Sequence, residues 1–163
     1  MDFDYTVGGA ASSSYLSEED ASSYFVSRLH SSLWEDFEEK QSALITATRL
    51  LDQWVKWQGY KTDENQALDW PRQDVVDEND FWLASDSIPI QVKNACCELA
   101  YSMLVEDRTA ENDMKGFKEI KVGSLKLVAD KSDVAGTLPD SVWMALGCLG
   151  KKPYACQVPV IRR

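Results

Sequence analysis

The side chains able to do chemistry are few, and their spacing argues for quieter roles. His30 is the single histidine of 163 residues, so a Ser-His-Asp triad, a two-histidine metal site or a histidine acid/base pair would rest on it alone. It lies among serines where a helical pattern ends, a place where an imidazole meets a carbonyl or water. No serine occupies a Gly-x-Ser-x-Gly turn. Asp77-Glu78-Asn79-Asp80 has the acid density of a calcium loop, yet the sixth position is not glycine and the twelfth is Ile88, not a bidentate glutamate. Gly147-Cys148-Leu149-Gly150-Lys151 resembles a phosphate loop, but its glycines are too close together and no Ser or Thr follows the lysine, so it reads as a helix end. No metal, cofactor or catalytic residue is therefore expected.

Aromatic spacing is the subtler signal. Trp54, Trp57 and Tyr60 recur every three residues, as in stripes that stack unpaired bases. A nucleic-acid groove also needs clustered bases, whereas residues 61–87 just downstream carry eight acids and two bases. Packing in the core or against another subunit is the expected use of the stripe. The four cysteines, Cys96, Cys97, Cys148 and Cys156, match neither a zinc knuckle nor a redox pair and are read as free thiols.

The elements that would position these groups are mostly helical. Ser17 before Glu18-Glu19-Asp20 is an N-cap signal with acids in the first turn, and Ala21, Tyr24, Phe25 and Leu29 supply a buried stripe. A second helix is expected over 37–57, where Ala43, Ala47, Leu50, Leu51, Trp54 and Val55 recur at three- and four-residue steps, and it is expected to be the spine of the core. Residues 61–87 have no sustained period and read as a long ordered loop, a length of loop that usually serves a contact. Pro89 opens a third helix whose buried face is Val92, Ala95, Cys96, Leu99, Ala100, Met103 and Leu104. Alternation over 117–129 about Gly123-Ser124 predicts a β-hairpin, and Pro139 starts a short last helix that Gly147 closes. The expectation is a mainly α protein, a small bundle of three to four helices with one hairpin. The organisation expected is a flexible arm (1–14), one helical connector domain carrying the hairpin (15–150) and an extended tail (151–163).

Charge and hydropathy limit the partners. With 27 acids against 17 bases the net charge is −10, which opposes tight gripping of DNA phosphates. No apolar run approaches the roughly 20 residues of a spanning helix, and no charged-then-apolar leader opens the chain, so no membrane is expected. The tail is the exception to the acidity: it holds Lys151, Lys152, Arg162 and Arg163 and no acid.

Four segments together carry a resemblance: YLSEEDA from Tyr15 to Ala21 with Tyr24-Phe25, ALITATRLLD from Ala43 to Asp52, QALDWPR from Gln66 to Arg72, and Ile88-Pro89 leading to Val92-Lys93 and Glu98-Leu99-Ala100. Over residues 15–104 they resemble tailed-phage head-tail adaptor proteins. The resemblance implies a virion structural protein of the neck, assembled in the host cytoplasm. Such a protein forms a ring, usually of twelve copies, beneath the portal, and DNA passes through its channel without specific binding. It implies three kinds of partner: further copies, the portal and the next neck or tail protein. Related sequences also carry the description DnaT-like single-stranded-DNA-binding protein, the alternative reading. On this footing Val158, Pro159, Val160, Ile161, Arg162 and Arg163 are expected to dock on the portal as an added strand. Trp70, Pro71 and Arg72 are expected to anchor the loop, with Trp70 against the second helix and Arg72 on a carboxylate. Asp74, Asp77, Glu78, Asp80, Phe81 and Trp82 are expected to meet a subunit or neck protein.

Overall fold

The structure, a computed structural model, describes residues 2–109, 119–122, 125–128 and 137–153, the segments 119–122 and 125–128 by backbone only. The expected mainly helical bundle with a hairpin is observed. α1 (Glu18–Val26) starts where Ser17 accepts from the Asp20 amide, at 3.0 Å, so one free amide of the first turn is capped. It buries Ala21 and Phe25 and stops at Ser27, so Leu29 falls beyond the helix and is 82 % exposed instead of joining the stripe. The weak helix formers after it do not simply break the chain: α2 (Ser32–Asp36) intervenes, and its buried Trp34 stacks on Phe25 with ring centroids 4.5 Å apart.

α3 (Lys40–Trp54) is shorter than the expected 37–57 at both ends and buries Ala43, Leu44, Ala47, Leu50 and Leu51. Trp54 lies outside that stripe, nearly half exposed. The central helix is instead α4 (Ile90–Val105), which packs against both α3 and α5 (Asp140–Leu146). A helix covered on two sides must be apolar at adjacent positions, which is why Cys96 and Cys97 are both buried. Both are free thiols, as is Cys148, and burial pushes Cys96 up to about 12, so it stays protonated. Cys156 lies outside the described residues.

Short ribbons join the helices. β1 (Lys56–Trp57) pairs antiparallel with β6 (Gly150–Lys151), and β2 (Tyr60–Lys61) with β3 (Arg72–Gln73). β4 (Glu119–Val122) and β5 (Leu125–Val128) form the expected hairpin in antiparallel register, the bend itself lying outside the described residues. Gly147, at φ +54°, closes α5 as expected. A 3-10 turn, Gly147–Leu149, then leads directly into β6. Lys151 therefore belongs to the folded domain and not to a tail.

The arm expected over residues 1–14 is likewise fastened. Its serines turn inward: Ser12, Ser13 and Ser14 are buried, the amides of Ser13 and Ser14 donate to the Asp4 carbonyl at 2.7 and 3.0 Å, and the Gly9 carbonyl accepts from Ala67 at 3.1 Å. Small hydroxyls let the backbone lie close to the core, and those of Ser12, Ser13 and Ser14 donate to the carbonyls of Thr6, Asp2 and Leu16. The next residue, Tyr15, is buried. Its amide donates to Thr48 at 3.3 Å, and its hydroxyl donates to the Asp52 carboxylate, which also accepts from the Asp69 amide at 3.1 Å. One carboxylate on α3 thus holds both the N-terminal segment and the long loop.

Burial raises Asp52 to about 6 and outweighs the opposing hydrogen bond from Tyr15; nearby Asp69 raises it further, while the Asp69 amide and Lys61 oppose. A carboxyl in the unfolded chain titrates near about 3.9. Stability held by the neutral acid is therefore complete below that value and lost as pH rises through about 6. Urea melts from about pH 7.5 down to about pH 5 are expected to gain about 1 kcal/mol from this group, and Asp52→Asn should remove that gain. Identical pH profiles for the two proteins would refute the assignment.

Candidate nucleic-acid interface

The Trp70-Pro71-Arg72 segment differs from the expectation in both contacts: the ring of Trp70 meets Trp57 of β1, and Arg72 binds carbonyls. Trp70, before a cis peptide to Pro71, is buried and meets Trp57 edge to face, ring centroids 5.7 Å apart at 86°. Arg72 pairs with no carboxylate among the described residues. Its guanidinium clamps three backbone carbonyls, donating from Nε to Gln58 at 2.6 Å, from Nη2 to Gly59 at 2.7 Å and from Nη1 to Asp69 at 3.1 Å. The reason is local: residues 58 and 59 turn between β1 and β2, leaving carbonyls that only a forked donor satisfies together. Gly59 makes the turn possible, since at φ +62° an added Cβ would sit 2.1 Å from the Gln73 carbonyl oxygen. Buried Gln66 finishes the anchor, donating to Leu68 and Pro71 carbonyls at 2.8 and 3.1 Å and accepting from the Thr62 and Asp63 amides.

Two surfaces flank this anchor. One is the acidic loop. Asp77 accepts from the amides of Asn79 and Phe81 at 2.8 and 2.9 Å, a short bridge joins Val76 to Trp82, and Leu83 donates to Val75. The expected contact residues Asp74, Asp77, Glu78, Asp80, Phe81 and Trp82 therefore share one pinned loop, with Phe81 and Trp82 70 % and 73 % exposed. The other surface is the β1-β6 ribbon. Trp57 and Gly150 face inward, where an added Cβ on Gly150 would lie 2.4 Å from Val55 Cγ1. Lys56 and Lys151 stand directly opposite each other and are both exposed. Neither pairs with a carboxylate among the described residues. Lys152 follows, with its ammonium 5.5 Å from the Trp143 ring centroid and 3.6 Å from the Asp140 carboxylate. The hairpin register sets a second lysine pair opposite, Lys121 and Lys126.

The aromatic stripe does not survive as a stripe. Trp57 is buried in the anchor, while Trp54 and Tyr60 remain exposed on either side of it. His30, at φ +59°, is exposed and its carbonyl accepts from the Tyr101 hydroxyl. Close by, Arg28 grips Glu98 with two bonds, at 2.7 and 3.1 Å, and its guanidinium lies 4.1 Å from the Tyr101 ring centroid. Burial alone would raise Glu98, but Arg28 and Tyr24 hold it below the usual carboxylate range. No cluster of three or more His, Cys, Asp or Glu among the described residues is arranged to hold a metal. Residues 158–163, expected to dock on a portal, lie outside the described residues. The paired lysines were missed in the sequence because Lys56 and Lys151 belong to distant segments; only the opposed register joins them.

A protein-family profile described as "Putative DnaT-like ssDNA binding protein" matches residues 4–162. The chain belongs to this family. No curated protein and no solved structure matches it.

Trp70→Ala should cost about 3–5 kcal/mol, the range for deleting a fully buried large aromatic side chain. Thermal or urea melts check this, and a variant that melts with the wild type would contradict the anchoring role.

Proposed function

We propose that the chain is a binding protein, not an enzyme, and that it contacts single-stranded DNA weakly and without sequence preference. The family match over 4–162 carries this reading. The lysines add to it: in a chain of net charge −10, like charges placed opposite each other across a ribbon cost stability unless an anion lies between them. A phosphodiester backbone is such an anion. The overall acidity keeps the contact local, to two or three phosphates rather than a long groove.

A second reading rests on the acidic loop. Phe81 and Trp82 are large, adjacent and exposed on a loop whose backbone is internally bonded, the arrangement of an aromatic anchor awaiting a protein partner. With the resemblance over residues 15–104 it suits a head-tail connector of a tailed phage, assembled as a ring under the portal at the neck of the virion. The acidic loop would meet a neighbouring copy or neck protein, residues 158–163 the portal, and DNA would pass through the channel.

Fluorescence anisotropy with labelled oligothymidine separates the two. The first reading expects binding that weakens with salt, with a log–log slope of about −2 for three phosphates contacted. Failure to bind at the lowest salt, together with rings in negative-stain images or a ring-sized species in sedimentation, would replace it with the connector.

A further inference from the structure

The β1-β6 ribbon is an unfavourable construction on its own terms. Its pairing is only two residues long, and one of its two cross-strand pairs is Lys56 against Lys151. The other pair, Trp57 and Gly150, is tightly packed, so the ribbon cannot shift register to separate the charges without turning Trp57 outward. Both ammonium groups are held on the solvent side of a rigid element, and no carboxylate of a described residue neutralises either. Lys152 adds a third cation, shared with Asp140. Trp54 closes α3 two residues before Lys56, within about 7 Å of chain, and is nearly half exposed.

We propose that Lys56 and Lys151 form a phosphate-binding site for single-stranded nucleic acid, with Trp54 stacking an unpaired base beside it. This assignment rests on the single-strand reading above and names its site. One phosphodiester group bridges the two ammonium groups, which puts an anion between like charges and lowers the pair's net charge from +2 to +1. Stacking on one exposed indole adds preference for unpaired over paired bases without selecting a sequence, since every base offers a π-face. Lys152 contributes less, because Asp140 already competes for it.

The test is anisotropy of labelled oligothymidine with the wild type, Lys56→Gln/Lys151→Gln, Trp54→Ala and, as a charge control, Lys93→Gln, whose lysine pairs with Asp20 on another face. The double lysine variant should bind about tenfold more weakly at low salt, and its log–log salt slope should flatten by about 0.7, the loss of one phosphate contact. Trp54→Ala should weaken binding with an unchanged slope, and Lys93→Gln should bind as the wild type does. Melting temperature in inorganic phosphate provides a second readout. Excess phosphate should stabilise the wild type more than the double variant, which folds at least as well without anion because the repulsion is gone. A wild type that binds no oligonucleotide sinks the single-strand reading. A wild type that binds, with a double variant equal to it in affinity and slope, sinks the site alone. A phosphate response without oligonucleotide binding assigns the pair to a small anion and overturns the nucleic-acid assignment.

Discussion

The edge-to-face packing of Trp57 on Trp70 is the constraint on which the functional surface depends. Trp57 is the inward residue of β1, so burying it sets which way the ribbon faces and presents Lys56 to solvent. Trp70 is in turn held by Arg72, whose guanidinium binds the carbonyls that follow Trp57. Loop and ribbon therefore form one unit: removing the indole of Trp70 loosens the strand that carries the lysine. This gives the Trp-Pro-Arg segment a structural reason to exist.

The helical body supports that unit through buried polar ties more than through helix length. Asp52 on α3 binds Tyr15 on one side and the loop amide of Asp69 on the other. Glu98 on α4 binds Tyr24 and Arg28 around the end of α1. Each acid sits on a helix of the core and draws a peripheral segment toward it, and each such bond is charge-assisted when the acid is ionised. Asp52 is the costlier of the two, since it has no guanidinium partner and burial lifts its titration toward neutrality.

A net negative charge and a DNA-binding family description are in tension only if charge is averaged over the chain. The acids crowd the 61–87 loop and the start of α1, whereas Lys56 opposes Lys151 in the β1-β6 ribbon. At physiological salt, fields from charges more than about 8 Å away are screened. The local arrangement then decides whether a phosphate is welcome.

Much of the framework was legible in the residues. The Ser17 cap, the α3 and α4 stripes, the hairpin, the loop and the closing Gly147 all follow from local rules of spacing, capping and φ preference. Local rules reached their limit wherever a partner distant in sequence decided the outcome. The polar 1–14 segment read as a free arm because its hydrogen-bond partners, in part its own turns and in part Ala67, cannot be seen in composition. Arg72 read as a salt-bridge former because the turn it caps forms only after β1 and β2 are placed. By itself, then, the sequence determined α1, α3, α4 and α5 and most of their buried positions, since each depends on neighbours within a few positions, but not α2 nor the exposure of Leu29 and Trp54. Only the tertiary structure decided that Trp57 and Trp70 lock together and that Lys56 faces Lys151, because strand register is a property of two segments and is written in neither.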